Sequence, residues 1–456
     1  MNLPRLSLPL PAIVLSTLLL LTPTVARAAY SVDVRLDRLD GYYKVGQDAV
    51  CTITLLRDGQ PAVGEKLRCT IKRERELLRQ DEFVCNGQPW RITAAMDRPG
   101  WLFFAFEIIG PDGKPLAGKG VYKHSRKPTI VGEIGALYDA DQIKALDSCP
   151  ADFDAYWASC RSRLDQVPLD PKLTEVAVPA AQRGKVRCYS IEVQCLSRNP
   201  VTGYLALPVD AKPGSLLAHV SYQSRVWQDA SKRRAIEMAS KGVLALDVTW
   251  HGRPTGGTEE DYLKRREAEF PEEGRAGDTD RDTWLGHDMY LRVLRALDFI
   301  KSRPEWNHKD LIVSGGSLGG IQTITAAALD RDVTVAVVSV PSGCEYNGYK
   351  QGRDAAGLYR GKQGIARIEA DPRRTLTLAY HDAVNMAPRI TCDIYVCTGF
   401  ADESCTPSSV FAFYNALPAT TRKFMTTNPT TGHYGSTKNT AGDQRLAEMF
   451  RTVTVD

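Results

Sequence analysis

The chain lacks a CxxC pair, a P-loop and a complete dinucleotide fingerprint. After its first thirty residues it also lacks any run of about 18 apolar residues, the length needed to cross a bilayer. The cysteines lie far from the histidines in sequence, so a structural zinc site is not expected. None of the seven histidines stands in an HxxxH or HExxH spacing; His219, Asp247, His251 and His287 form a metal set only on paper, and no metal and no cofactor are expected. Charge of one sign is scarce as well. The net charge of +4 over 456 residues, with no block of like charges, excludes an electrostatic footprint for nucleic acid. The one basic cluster, KRERE at 72–76, is interrupted by acids and reads as a solvated strand edge.

What is present begins with a leader. Arg5 precedes the apolar stretch 12–21, and Ala26-Arg27-Ala28 offers the small residues that signal peptidase requires, so residues 1–28 read as a signal peptide. The mature chain then begins near Ala29 or Tyr30 and is secreted or periplasmic, with no membrane contact after cleavage; a retained anchor is the alternative. The eleven cysteines of an exported chain make disulfides available, and Cys51 and Cys69, on neighbouring strand-like segments, are candidates to pair. Most of the others sit in apolar strands, where a buried thiol is the commoner state.

Between residues 29 and 127 short alternating runs (VDVRL, AVCTITLL, LRCTIKR, WRITAAM, WLFFAFEII, GVYK) are separated by turn signals such as DGQP and GPDGKP. That pattern predicts a small antiparallel sandwich of immunoglobulin-like type. A Gly-, Asp- and Pro-bearing stretch, 128–149, reads as a linker. From 150 to 456 the pattern changes: an amphipathic helix over 150–167 returns Phe153, Tyr156, Trp157, Cys160 and Leu164 to one face, and apolar strands then alternate with helices. The fold class expected is α/β, a mainly parallel sheet with helices on both faces, preceded by the small all-β domain. In such sheets chemistry collects beyond the carboxyl ends of the strands.

Gly315-Gly316-Ser317-Leu318-Gly319 stands in that position, between the apolar run DLIVSG and the helical IQTITAAALD. It satisfies G-x-S-x-G, in which a sharp strand-to-helix turn exposes a nucleophilic serine and glycines leave room for the backbone around it. A serine at its ordinary pKa needs a histidine base and an acid that orients it. In chain order serine, acid, histidine, Asp402 follows the strand DIYVCTGF and only His433, in TTGHYGS, follows Asp402. The oxyanion of an attacked carbonyl needs two backbone donors: the amide of Leu318, and that of Tyr222 or Gln223 in the loop HVSYQSRVW.

The segments CPADFDAYW, MYLRVLRALDFI, VSGGSLGGIQTITAAALDRDVTVAVVSVPSGCEY, YHDAVNMAPRITCDIYVCTGFADESCTPSSVFAFYNALP and TGHYGS resemble the acetyl xylan esterase and cephalosporin C deacetylase family, carbohydrate esterase family seven, over roughly Cys149 to the end. The resemblance implies an α/β-hydrolase fold and a Ser317, Asp402, His433 triad. It also implies a small acetylated carbohydrate, such as an acetylated xylo-oligosaccharide, as substrate. Members of that family often form hexameric rings, which implies a homo-oligomer, although the added N-terminal module is a candidate obstruction to that packing. The chain departs from the family at Leu318, where glutamine is usual, at TWHGRP (249–254) in place of an RGQ motif, and at SYQS (221–224) in place of HGYN. Two alternatives share the fold and triad, an exported serine peptidase and a general short-chain esterase. A third is a carbohydrate-binding protein without catalysis.

Overall fold

The computed structural model describes residues 30–116, 128–224, 228–264, 275–355, 357–434 and 438–452. The signal peptide read over 1–28 and the strand-like GVYK at 120–123 lie outside them.

Alternation builds the N-terminal part. In β3 (Ala49–Arg57) Ala49, Cys51, Ile53 and Leu55 are buried and their neighbours are half-exposed, the period of a strand with one face on a core. β3 pairs with β1 (Tyr30–Leu36), β4 (Gln60–Pro61) and β7 (Trp90–Ala94). A second sheet runs in the order β2 (Tyr42–Tyr43), β9 (Ile130–Tyr138), β8 (Gly100–Ile109), β5 (Val63–Arg73), β6 (Glu76–Asn86). Both sheets send side chains into one core, Cys51 and Ile53 from the first and Leu67, Cys69 and Phe104 from the second.

β8, with the sequence GWLFFAFEII, has no polar face because it serves two cores. Leu102, Phe104 and Phe106 point into the core between the N-terminal sheets, while Trp101, Phe103 and Ala105 pack into the core of the remainder of the chain. β9 divides in the same way, with Ile130 and Leu137 on one side and Val131, Ile134 and Ala136 on the other. Here the linker reading of 128–149 fails. Its glycines and acids masked nine buried residues that form a strand, and β9 completes the second sheet against β8 and β2. Cys51 and Cys69 do not pair: they lie in different sheets as buried free thiols, and burial pushes both thiols well above their ordinary range.

From residue 153 onward the chain is α/β. Helix α1 (Phe153–Asp165) buries Phe153, Tyr156, Trp157, Cys160 and Leu164, the five residues of the predicted stripe. The large sheet has the order β10 (Lys172–Glu175), β11 (Val186–Val193), β12 (Val201–Pro208), β14 (Leu244–Val248), β13 (Leu216–Tyr222), β15 (Trp306–Gly316), β16 (Val335–Ser339), β17 (Asp393–Gly399), β18 (Lys423–Asn428). β10, β11 and β12 are antiparallel to their neighbours; from β14 to β18 every pairing is parallel. Strands such as LLAHVSY and LALDV are buried along their whole length, which requires cover on both faces.

α2 (Lys232–Ala239), α4 (Leu285–Lys301) and α5 (Leu318–Leu329) pack on these strands, and the short α3 (Glu259–Lys264) stands between α2 and α4 in the chain. After them come α6 (Gly361–Glu369), α7 (Pro372–Ala379), α8 (Ala383–Met386), α9 (Pro407–Ala416) and α10 (Thr440–Thr452). This mixed α/β architecture, with a large and mostly parallel sheet, is the fold class expected from the alternation of apolar strands and helices. No helix among the described residues is long and apolar enough to cross a membrane.

Candidate active site

Ser317 lies between β15 and α5 with φ 53° and ψ −117°, a conformation that a non-glycine residue rarely adopts. Strain of this kind costs about 1–3 kcal/mol and persists only where the surroundings over-determine it. The Ser317 amide donates to the Ser339 carbonyl at 2.9 Å, and its carbonyl accepts from the amides of Gly320 (2.9 Å) and Ser342 (3.0 Å). The glycines are clearance rather than slack. A β-carbon at Gly315 would stand 2.4 Å from the Gly319 carbonyl oxygen, and one at Gly319 would stand 2.4 Å from that of Tyr222.

The carboxyl ends of β17 and β18 carry the two partners. Asp402 follows β17 and its side chain is fully buried; His433 follows β18 and is nearly so. His433 Nδ1 lies 2.9 Å from Asp402 Oδ2, and His433 Nε2 lies 3.0 Å from Ser317 Oγ. The other carboxylate oxygen, Oδ1, accepts from the amides of Ser404 (2.7 Å) and Cys405 (2.9 Å). Burial opposes a charge on His433, but Cys405 and the Asp402 carboxylate, through charge and hydrogen bonding, outweigh it and hold the imidazole above its ordinary pKa. The three residues chosen by chain order are therefore joined by one continuous hydrogen-bonded path.

Leu318 is the first residue of α5, where backbone N–H groups have no acceptor within the helix. Tyr222 is placed differently from expectation. It is the last residue of β13 rather than part of a loop, fully buried, in register with Val248 on one side and Gly315 on the other. Gln223 follows it, and its amide reaches the Val248 carbonyl only at 3.4 Å. The close approach of Gly319 to the carbonyls of Tyr222 and Gln223 brings this strand end against the start of α5.

Sequence reasoning missed the group that braces this strand end. Asp247, fully buried at the end of β14, accepts from Ser221 Oγ (2.7 Å), from the Ser231 amide (2.6 Å) and from the side chain of Gln223, and it pairs with Arg234. Nothing in the sequence separates such a carboxylate from any aspartate at a strand end. The paper metal set does not assemble: His219 bonds Ser314 Oγ through Nε2 at 2.8 Å, and His287 sits between Tyr156 and His381. Among the described residues two other trios bring ligand-type atoms close together, Cys160 with Asp282 and His287, and Asp402 with Cys405 and His433. His381, the only other histidine after Ser317, is fully buried and bonded to the Thr377 carbonyl and to His287.

KRERE is not a solvated edge. Glu74 is buried with φ 53°, and Lys72 and Arg75 reach Glu403, the residue next to Asp402. Charge alternation signals solvent only when no second surface is packed against the turn.

The family model for acetyl xylan esterase (AXE1) matches residues 136–444. The chain belongs to the acetyl xylan esterase family. The acetyl esterase Axe7A of Xylanibacter ruminicola is 26% identical over 409 residues, covering 85% of this chain and 83% of its own. Among solved structures, the acetyl xylan esterase from Paenibacillus sp. R4 superposes with a TM-score of 0.58 at 23% identity, over 69% of this chain and 98% of its own. Acetyl xylan esterase 1 from Thermoanaerobacterium sp. JW/SL YS485 gives a TM-score of 0.55 at 23% identity, over 68% and 97%. The two solved acetyl xylan esterases thus match nearly whole with about two-thirds of this chain. As a member of the acetyl xylan esterase family the protein is a carboxylic ester hydrolase, an acetyl esterase.

Proposed function

We propose that this acetyl esterase is exported and removes acetyl groups from acetylated xylo-oligosaccharides or related plant-wall sugars through an acyl-enzyme on Ser317. The observation that carries the reading is the path from Ser317 Oγ through His433 to Asp402, ending on a strained strand-to-helix turn.

His433 Nε2 takes the Ser317 proton as Oγ attacks the acetyl carbonyl, and Asp402 fixes the ring so that Nε2 faces the serine. The tetrahedral oxyanion is held by the Leu318 amide together with the amide of Tyr222 or Gln223. The sugar hydroxyl leaves with the proton from His433. Water then repeats the attack on the acetyl-serine, releasing acetate and returning the proton to Ser317. The activities that name the relatives, acetyl esterase and acetyl xylan esterase, support the sugar ester as substrate, and the leader-like first 28 residues support export. The N-terminal strands are read as an accessory sandwich domain, and neither a metal nor a cofactor enters the mechanism.

The test is acetate release from acetylated xylan and xylo-oligosaccharides, wild type against Ser317→Ala. Loss of release and of fluorophosphonate labelling in a variant that melts like the wild type is expected. Retained turnover would overturn the assignment.

A further inference from the structure

The N-terminal sheets do more than stand beside the esterase fold. Trp101 of β8 donates its indole N–H to the carbonyl of Phe400 at 2.7 Å, two residues before Asp402. From the end of β5 Lys72 pairs with the Glu403 carboxylate, and from the turn between β5 and β6 Arg75 Nη2 donates to the Glu403 carbonyl at 3.1 Å. In the same turn Glu74 accepts from Ser408 Oγ at 2.7 Å, in the first turn of α9, and from the Trp101 amide at 2.9 Å. On the neighbouring loop the Gly135 amide of β9 donates to the Pro429 carbonyl at 2.9 Å, and Tyr42 meets Thr427 Oγ1 at 3.1 Å, a few residues before His433.

One of these bonds falls at a decisive atom. The carbonyl of Glu403 and the amide of Ser404 belong to a single planar peptide group. Arg75 holds its oxygen, and Asp402 Oδ1 accepts from its N–H at 2.7 Å. The orientation of that plane therefore sets one of the two amide donors that hold the buried Asp402 carboxylate, whose other oxygen faces His433. Asp402 itself is fixed along the chain by few backbone bonds, its amide to Gly399 at 3.2 Å and that of Ala401 to Thr431 at 3.1 Å. A catalytic constellation needs to be held within about 0.5 Å of its working geometry, and side chains that touch no reacting atom do much of that holding.

We propose that Arg75 and Lys72 are positioning residues of the active site: from the N-terminal sheet they clamp the Glu403 peptide, and through it the Asp402 carboxylate that orients His433. This rests on the triad reading given under Proposed function. Lys72 and Arg75 lie outside the segment that the family model matches, residues 136–444, while Asp402 and His433 lie inside it.

The experiment uses the full chain with Arg75→Met, Arg75→Lys, Lys72→Met, Lys72→Arg and Ser317→Ala. It reads kcat and KM for p-nitrophenyl acetate well below the melting transition, the melting temperature, and the low-field proton resonance of the His433 to Asp402 hydrogen bond. Arg75→Met is expected to lower kcat about 10-fold with KM within about twofold, since small misplacements of a catalytic group carry losses of this size. It is also expected to broaden or shift the low-field resonance. Lys72→Met is expected to give about a threefold loss, and Lys72→Arg to restore it. Should Arg75→Met fail to fold because Asp354 loses its partner, the Lys72 pair, whose partners are partly exposed, decides alone. Unchanged kcat with an unchanged resonance, or a change in melting temperature alone, overturns the clamp while an inactive Ser317→Ala leaves the triad standing. Turnover by Ser317→Ala removes the triad reading, and the clamp with it.

Discussion

Ser317 combines a positive φ with a hydroxyl 3.0 Å from an imidazole, and the two together define what single substitutions should do. His433 has to be neutral to accept the serine proton. Because its neighbours raise its pKa, kcat/KM should climb with pH through that raised value and fall on its acid side. Asp402→Asn removes one source of the rise. Its activity is expected to drop about 10⁴-fold, and the acid limb of what remains should move to lower pH, as measured by hydrolysis of a base-stable short-chain ester over a pH range that extends to the raised His433 value of about 11. Leu318 contributes only its amide to the proposed oxyanion site, while its partly buried side chain packs on the core. Leu318→Gln, which supplies the family's usual residue, should therefore change kcat by less than about threefold. A larger change would assign a role to the side chain at this position.

At the scale of the element, the start of α5 is a tight backbone junction in the site. Gly319→Ala would place a β-carbon 2.4 Å from the Tyr222 carbonyl oxygen, and the obstacle is backbone that cannot rotate away. The expected outcome is a loss of about 2 kcal/mol or more of stability by denaturant unfolding, with reduced turnover as β13 and α5 separate. This junction was readable in the sequence because the G-x-S-x-G spacing, common by itself in glycine-rich turns, stands here between an apolar strand-like run and a helical one. The hydrogen-bonded path from Ser317 through His433 to Asp402 was readable from chain order, which left a single histidine after Asp402. The strands of the large sheet were legible as apolar runs, but β9 was not. Its sequence IVGEIGALY carries two glycines and an acid, and close approach by other elements accounts for the glycines: a β-carbon at Gly132 would stand 2.8 Å from a Val32 methyl. A β-carbon at Gly135 would stand 1.9 Å from the Phe400 carbonyl oxygen, so the glycine that looked like a linker is a packing requirement. KRERE was misread for the opposite reason, since its partners Glu403 and Ser408 lie more than three hundred residues away. No local pattern reports a contact of that range.

Over the whole molecule, buried titratable groups set the response to acid. His219, His251, His287 and His381 are buried, and burial, named first among the causes, brings each down to about 3. The unfolded chain binds protons on these side chains below about pH 6.5 while the folded one does not. Each therefore supplies stability that is present above about 6.5 and is lost as the pH falls toward 3, roughly 2 kcal/mol per group by pH 5. Glu74 and Asp382, pushed up to about 7 by burial, work in the other direction, because the folded state keeps protons that the unfolded state releases between their ordinary values and 7. Burial also raises Asp229, Asp247, Asp288 and Asp354, which blunts the effect; the histidine contribution is expected as a melting temperature that falls below about pH 6.5, measurable by calorimetry and reduced when one of the four histidines is replaced. A profile that no such replacement alters would mean that the histidines are protonated in the folded protein.

The two-sided burial of β8 bears on how such a chain can change over time. A strand with one wet face can absorb substitutions there without consequence, but β8 has none: Leu102, Phe104 and Phe106 answer to one core, and Trp101, Phe103 and Ala105 to the other. Neutral drift at its buried positions is closed from both directions. The described N-terminal strands are bound to vary in step with the residues that share this core, and an exchange of this N-terminal part for a different one would cut through a shared core instead of a joint.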